Sequence, residues 1–136
     1  HRSVYLPVIR DYASELFDRF DFPSASLVSG KRSVTEVPSQ ALFLRNSKFV
    51  AEQAKHAAKR LLADSSAKDD ADRIDLAMQW VFTRAATAEE KKGALALLAL
   101  TQDAEAEIEN RDESAWSTLF LSLFSTAEFR YLVDIE

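Results

Sequence analysis

Residues 69–100 read DDADRIDLAMQWVFTRAATAEEKKGALALLAL, and this stretch predicts two consecutive helices. Asp69 or Asp70 is suited to cap the first helix, because a carboxylate accepts from the free N–H groups of a first turn. Thr87 and Glu90 have the spacing of a capping box, so a second helix is expected to begin there and to run to about Glu109. The apolar residues of the first helix recur every three or four positions, as one buried face requires: Ala71, Ile74, Ala77, Met78, Val81 and Phe82. The second helix is apolar over a wider arc: Leu95, Leu97, Leu98 and Leu100.

The same helical spacing recurs on both sides of this stretch. It predicts a helix over about residues 7–20, a short helix starting near Pro38 with Leu42 facing inward, and a helix that Asn46 or Ser47 caps. A final stripe lies beyond residue 110: Trp116, Leu119, Phe120, Leu123 and Phe124. No segment of five or more residues alternates as a half-buried strand does. We therefore predict an all-α fold, a single compact bundle of about six helices that forms one domain over residues 1–136.

A long loop near the amino terminus interrupts the helical pattern. Residues 22–36 hold Pro23 and Gly30, which break helices, and the chain then returns to helix through polar residues. Four of these polar residues are candidates for a ligand site: Arg32, Thr35, Gln40 and Asn46. They could line a pocket for an anion or a sugar, since arginine offers a fork of donors to carboxylate or phosphate. The alternative is structural: Thr35 and Asn46 cap helices, Gln40 ties the loop backbone, and Arg32 pairs with a nearby aspartate.

Composition narrows the classes of function. The chain has 136 residues, a net charge of −5, no cysteine and two histidines. It therefore lacks disulfides, thiolate metal sites and covalent haem attachment, and we predict no metal site and no cofactor. The acidic charge and the absence of a recognised motif disfavour nucleic-acid binding. No apolar run approaches the roughly 20 residues of a membrane span.

Several short motifs, taken in order, resemble a known family. The most specific is Arg32-x-x-Thr35-x-x-Pro38-x-Gln40-Ala41-Leu42-x-Leu44-x-Asn46. Weaker pieces precede and follow it: Arg2-Ser3-x-Tyr5, Phe20-Asp21-x-Pro23, Arg84-x-x-Thr87-x-x-Glu90, Trp116-x-x-Leu119 and Glu128-Phe129-x-Tyr131. Together they are similar, over nearly the whole chain, to the C-terminal part of a planctomycete-type domain of unknown function, DUF1553.

The resemblance implies a setting but no reaction. Proteins of this family are often large and exported, with a cytochrome c-type domain upstream, so the resemblance implies an extracytoplasmic location and partnership with upstream domains of the same polypeptide. The chain opens at His1 without an initiator methionine, and we expect it to be a C-terminal fragment of such a protein. The family supplies no catalytic residue. Ala86 stands where a proline is usual, and Ser125 and Ala127 stand where asparagines are expected.

These observations lead to two hypotheses. The first is a structural or interaction module without catalytic residues of its own, packed against other domains. Its candidate partner contacts are aromatic: Tyr5, Trp80, Phe129 and Tyr131. The second is that the polar string from Arg32 to Asn46 contributes an anion- or carbohydrate-binding pocket to an extracytoplasmic enzyme. That hypothesis predicts that the side chains of Arg32, Gln40 and Asn46 converge on one cavity.

Overall fold

The computed structural model describes residues 17, 19, 20, 22, 30, 38–104 and 110–130. These residues contain six helices and no strand, which confirms the all-α prediction. The helices are α1 (Pro38–Asn46), α2 (Lys48–Leu62), α3 (Asp70–Phe82), α4 (Ala88–Ala104), α5 (Arg111–Phe124) and α6 (Ala127–Arg130). The predicted helix over 7–20 and the predicted loop over 22–36 lie largely outside the described residues. None of the helices in the described ranges is long and apolar enough to span a membrane.

The chain divides into two compact units, residues 1–43 and residues 44–136. In the first unit, the rings of Phe17 and Phe22 stack with centroids 4.5 Å apart, and Phe20 meets Phe43 edge to face at 6.0 Å. Leu42 is 58% exposed, so the expectation that it faces inward is wrong. Residues 41–44 of α1 are all apolar, so the sequence pattern does not show which face of the helix is buried.

The second unit is organised around the contact between α2 and α5. Ala54 and Ala58 of α2 and Ala115 of α5 are fully buried. Small side chains let two helix backbones approach closely. The contact between α2 and α5 is the most extensive between any two helices of this unit. Trp116 and Phe120 extend the same face of α5 and are its largest buried side chains. The predicted stripe of α5 is buried at Trp116, Leu119 and Phe120 and half-buried at Leu123 and Phe124.

Helices α3 and α4 complete the bundle: α3 packs against α2, α4 and α5, and α4 also packs against α5. Asp69 caps α3 by accepting from the backbone N–H of Asp72 at 2.8 Å, as its position predicted. Ser47 occupies the corresponding position before α2 but makes no capping hydrogen bond with its side chain. The stripe of α3 is buried as expected, at Ile74, Ala77 and Met78. In α4, by contrast, Leu98 is buried whereas Leu95 and Leu100 are exposed, so only one side of its wide apolar arc faces the core.

Candidate functional site

The turn between α3 and α4 presents Arg84 to two other parts of the second unit. Thr83 ends α3 in the left-handed conformation, with φ at 59°, and its backbone N–H donates to the carbonyl of Gln79. A left-handed residue at this position ends a helix and turns the chain sharply. Arg84 therefore leaves the axis of α3 and reaches both the first turn of α4 and the short helix α6.

Arg84 donates to two carboxylates at once. Its Nε and one terminal nitrogen bind the two oxygens of Glu128 in α6, both at 2.7 Å. Its two terminal nitrogens bind the oxygens of Glu90 in α4 at 2.7 and 2.9 Å. Both pairs are bidentate, the geometry in which a planar guanidinium matches a carboxylate best. The side chains are 35–40% exposed, so the cluster lies at the edge of the bundle.

Glu90 also completes the predicted capping box. The backbone N–H of Thr87 donates to Glu90 at 2.8 Å, and the backbone N–H of Glu90 donates to the Thr87 hydroxyl at 3.3 Å. The capping box is therefore confirmed, with Ala86 in place of the usual proline. Glu90 thus caps the first turn of α4 and also forms an ion pair with Arg84.

The cluster keeps all three of its groups charged at neutral pH. Hydrogen bonds from Arg84, and then from the Thr87 backbone, lower the pKa of Glu90 from 4.5 to about 2. The bonds from Arg84 also lower the pKa of Glu128. The two carboxylates raise the pKa of Arg84, Glu90 more than Glu128. A carboxylate with a depressed pKa is a poor proton donor near pH 7, so the arrangement favours electrostatic binding over acid catalysis.

A second ion pair stabilises the turn between α3 and α4. Lys91 of α4 lies 2.5 Å from a carboxylate oxygen of Asp75 in α3, and the other oxygen accepts from the backbone N–H of Ala86 at 3.2 Å. These bonds, the one to Lys91 most of all, lower the pKa of Asp75. The start of α4 is therefore held to α3 and α6 by side chains on both sides of the turn.

A pocket of about 270 Å³ opens beside this cluster. Helices α3, α4 and α5 supply apolar walls: Ile74, Ala77, Met78, Phe82, Ala94, Leu97, Leu119 and Leu123. Glu90, Glu128 and Thr126 supply its polar part. Gly93 lies in the wall formed by α4, and a Cβ atom added there would meet nothing within 4 Å. The pocket is thus an apolar recess that meets two carboxylates.

The polar string proposed from the sequence is described only in part. Gln40 is buried, at 3% exposure, in α1. Asn46, at the end of α1, is exposed. Arg32 and Thr35 lie outside the described residues, so convergence on a common cavity stays a prediction.

The aromatic partner contacts proposed from the sequence differ in their surroundings. Trp80 is half-buried: its ring stacks on Phe120 with centroids 6.5 Å apart, and the guanidinium of Arg60 lies 4.7 Å from the ring centroid. Phe129 is 44% exposed and packs one side against Phe124 at 5.0 Å. Tyr5 and Tyr131 lie outside the described residues. Phe129 follows Glu128 directly, which places an exposed aromatic ring next to a residue of the pocket.

The sequence did not reveal that Arg84 and Glu128 meet, because 44 residues separate them. A signal for their importance was nevertheless present. Both residues belong to the short motifs that were quoted for the resemblance to DUF1553. Only the packing of α6 onto α3 shows that the two charges form a pair.

Comparisons with known proteins agree with this resemblance. The family model described as PSD1, protein of unknown function (DUF1553), matches residues 1–98. The match includes Arg84, Thr87 and Glu90 and ends before Glu128, so it is shorter than the resemblance read from the motifs. Neither a curated protein nor a solved structure matches the chain. The matched segment covers well over half of the 136 residues, and the chain therefore belongs to the DUF1553 family of proteins of unknown function.

Proposed function

We propose that the chain is a helical interaction module of a larger exported protein, and that its second unit binds an apolar group of a partner. The observation that carries the proposal is the pocket between α3, α4 and α5, with its apolar walls and its two carboxylates. Apolar recesses with a few convergent polar groups are the usual form of a binding site.

The size of the pocket indicates what it holds. An apolar cavity of about 150 Å³ in another protein binds benzene, so a recess of about 270 Å³ has room for one large side chain or a short aliphatic chain. It lies near the lower end of the range for small-molecule sites, about 300 Å³. A single anchoring group from a partner therefore fits better than an extended ligand.

The charge beside the pocket indicates the sign of that group. Arg84 carries one positive charge, and Glu90 and Glu128 carry two negative charges, which leaves the cluster with a net charge of −1. Both oxygens of Glu128 and Oε1 of Glu90 accept from Arg84 and have a further lone pair, whereas Oε2 of Glu90 also accepts from the Thr87 N–H. A group that ends in an ammonium or another donor is therefore favoured over a carboxylate. The expected partner residue is apolar along its length and positive at its end.

Two probes of equal length test this preference. Hexylamine and hexanoate have similar apolar chains and opposite charges, and their binding can be followed by NMR chemical-shift changes around Leu97 and Leu123. We expect hexylamine to bind more tightly than hexanoate, and the difference to shrink at high salt because surface charges are screened.

Gly93→Leu tests whether hexylamine binds in the pocket. Its side chain points into open space in the pocket wall, so we expect the variant to fold and to lose hexylamine binding. Lys55→Leu adds the same side chain at an exposed position of α2 and serves as the control. Equal binding by both variants, or tighter binding of hexanoate, would contradict the proposal.

The cellular setting of this function rests on the family. The resemblance to exported, cytochrome c-associated proteins supports an extracytoplasmic location and a partner among the upstream domains, and a cytochrome c-type domain is the leading candidate. Phe129, which is exposed and follows Glu128 in the chain, is a suitable contact for such a partner. Gel filtration of the chain mixed with those domains tests the association. Separate elution at concentrations of tens of micromolar would count against it.

A further inference from the structure

Helix α4 carries a second apolar surface whose centre lies on a different side of the helix from the pocket. Glu90, Gly93, Ala94 and Leu97 face the pocket, whereas Leu95 is 42% exposed and Leu100 is 69% exposed. Ala96 and Ala99 are exposed between these leucines. We call the surface formed by these last four residues the outer stripe of α4. It does not continue the core, but its edge at Leu100 adjoins the pocket side of α4, because Leu100 follows Gly93 by two turns.

A charged residue of opposite sign lies at each end of the outer stripe. Lys92 precedes it by one turn and Asp103 follows it by one turn, and both are exposed. At 1.5 Å per residue, these two positions are about 16 Å apart along the helix. Neither has an ion-pair partner among the described residues.

The arrangement is symmetric about a point midway between residues 97 and 98. Lys92 and Asp103 are equally far from that point, as are Leu95 and Leu100, and Ala96 and Ala99. If two copies of α4 pack antiparallel across a two-fold axis at this point, Lys92 of each copy lies opposite Asp103 of the other. The two alanines form the centre of the contact and allow close approach, with leucines on either side. Parallel packing would instead place like charges together.

We propose that the outer stripe of α4 is the interface of an antiparallel homodimer. Self-complementarity is what a two-fold interface requires, because each copy offers the same surface to the other. The apolar centre supplies the attraction, and the terminal charges select the antiparallel orientation over the parallel one. A contact of one helix per copy is small, so the dimer is expected to form reversibly with concentration.

Charge reversal tests both the partner and the orientation. Sedimentation equilibrium of the unaltered chain should give an average mass that rises from 15.3 kDa toward twice that value as the concentration increases. Lys92→Asp alone and Asp103→Lys alone should each weaken dimerisation by at least about tenfold, because like charges then meet at both ends of the contact. The double variant Lys92→Asp with Asp103→Lys should restore it.

A mixture of the two single variants tests whether the charges at the two ends of the contact are complementary. Each weakly self-associating chain is complementary to the other, so an equimolar mixture should form heterodimers as readily as the unaltered chain forms homodimers. Lys55→Asp, at an exposed site on α2, is the control for an unrelated charge change and should leave dimerisation intact. A chain that stays monomeric up to millimolar concentration overturns the proposal, as does a dimer that is insensitive to the reversals or whose mixture shows no recovery.

Discussion

Replacement of Arg84 by methionine removes the charge that joins the turn after α3 to α4 and α6, while keeping a side chain of similar length. Two hydrogen bonds to Glu90, two to Glu128 and one to the carbonyl of Ala85 are lost. The two carboxylates then face each other without a cation between them. We expect the variant to fold, because the buried core of α2, α3 and α5 is untouched, and to be less stable at neutral pH.

The exposure of the cluster limits the magnitude. A pKa of Glu90 lowered from 4.5 to about 2 corresponds to about 3 kcal/mol if no screening applies. Glu90 is 37% exposed, and partly exposed ion pairs contribute up to about 1 kcal/mol each. Part of the depression also comes from Thr87, which the substitution leaves in place. For two bidentate pairs we expect a loss of about 1–2 kcal/mol at pH 7.

The pH dependence gives the sharper result. A carboxylate whose pKa is depressed by folding stabilises the native state above its unfolded-state pKa, and this contribution is lost as the pH falls through the folded-state pKa. For Glu90 the window runs from about 4.5 down to about 2. The difference in unfolding free energy between the unaltered chain and Arg84→Met should therefore be constant near pH 7 and shrink as the pH falls through that window.

Urea unfolding at pH 7, 4 and 2.5, followed by tryptophan fluorescence and by circular dichroism at 222 nm, measures this difference. Arg111→Met is the matched control, since Arg111 is 55% exposed and its carboxylate partner Asp112 lies 3.8 Å away. We expect the control to change stability by less than about 0.5 kcal/mol at each pH. Equal losses for the two variants at pH 7, or a loss for Arg84→Met that is as large at pH 2.5 as at pH 7, would refute the assigned role of the cluster.

Two further substitutions test the packing of the second unit. Thr83→Gly should raise the melting temperature by a few degrees, because glycine adopts the left-handed conformation without the cost of about 1 kcal/mol that a β-branched residue bears; a lower melting temperature would contradict this. Ala58→Leu should destabilise the chain by about 1–3 kcal/mol in urea unfolding, since the added atoms enter the close contact between α2 and α5. Ala63→Leu, just beyond α2 and exposed, is its control, and equal effects would show that the contact tolerates the added volume.

The features that the sequence predicted correctly are those decided within a few residues. The helical periodicity of α3, the cap at Asp69 and the capping box of Thr87 and Glu90 each depend on neighbours along the chain. The ion pair between Arg84 and Glu128 depends on the path of the chain over 44 residues, and no local pattern determines it.

Helix α4 shows a second reason for failure. Leucines lie on several sides of it, so its periodicity does not say which side is buried, and the bundle covers Leu98 while leaving Leu100 exposed. The same ambiguity concealed the pocket. A recess between three helices depends on which side chains are small where the helices meet, and this follows only from the packed arrangement.

Gly93 shows how the pocket and the stability of α4 are related. Glycine inside a helix costs about 1 kcal/mol relative to alanine. Close packing does not explain its presence here, because a Cβ atom at this position would meet nothing within 4 Å. Gly93 does, however, line the pocket, so a larger side chain would start from the pocket wall. The proposed binding role would account for both facts: the residue that weakens the helix is one that lines the recess, one turn after the glutamate whose capping bonds strengthen the start of the same helix.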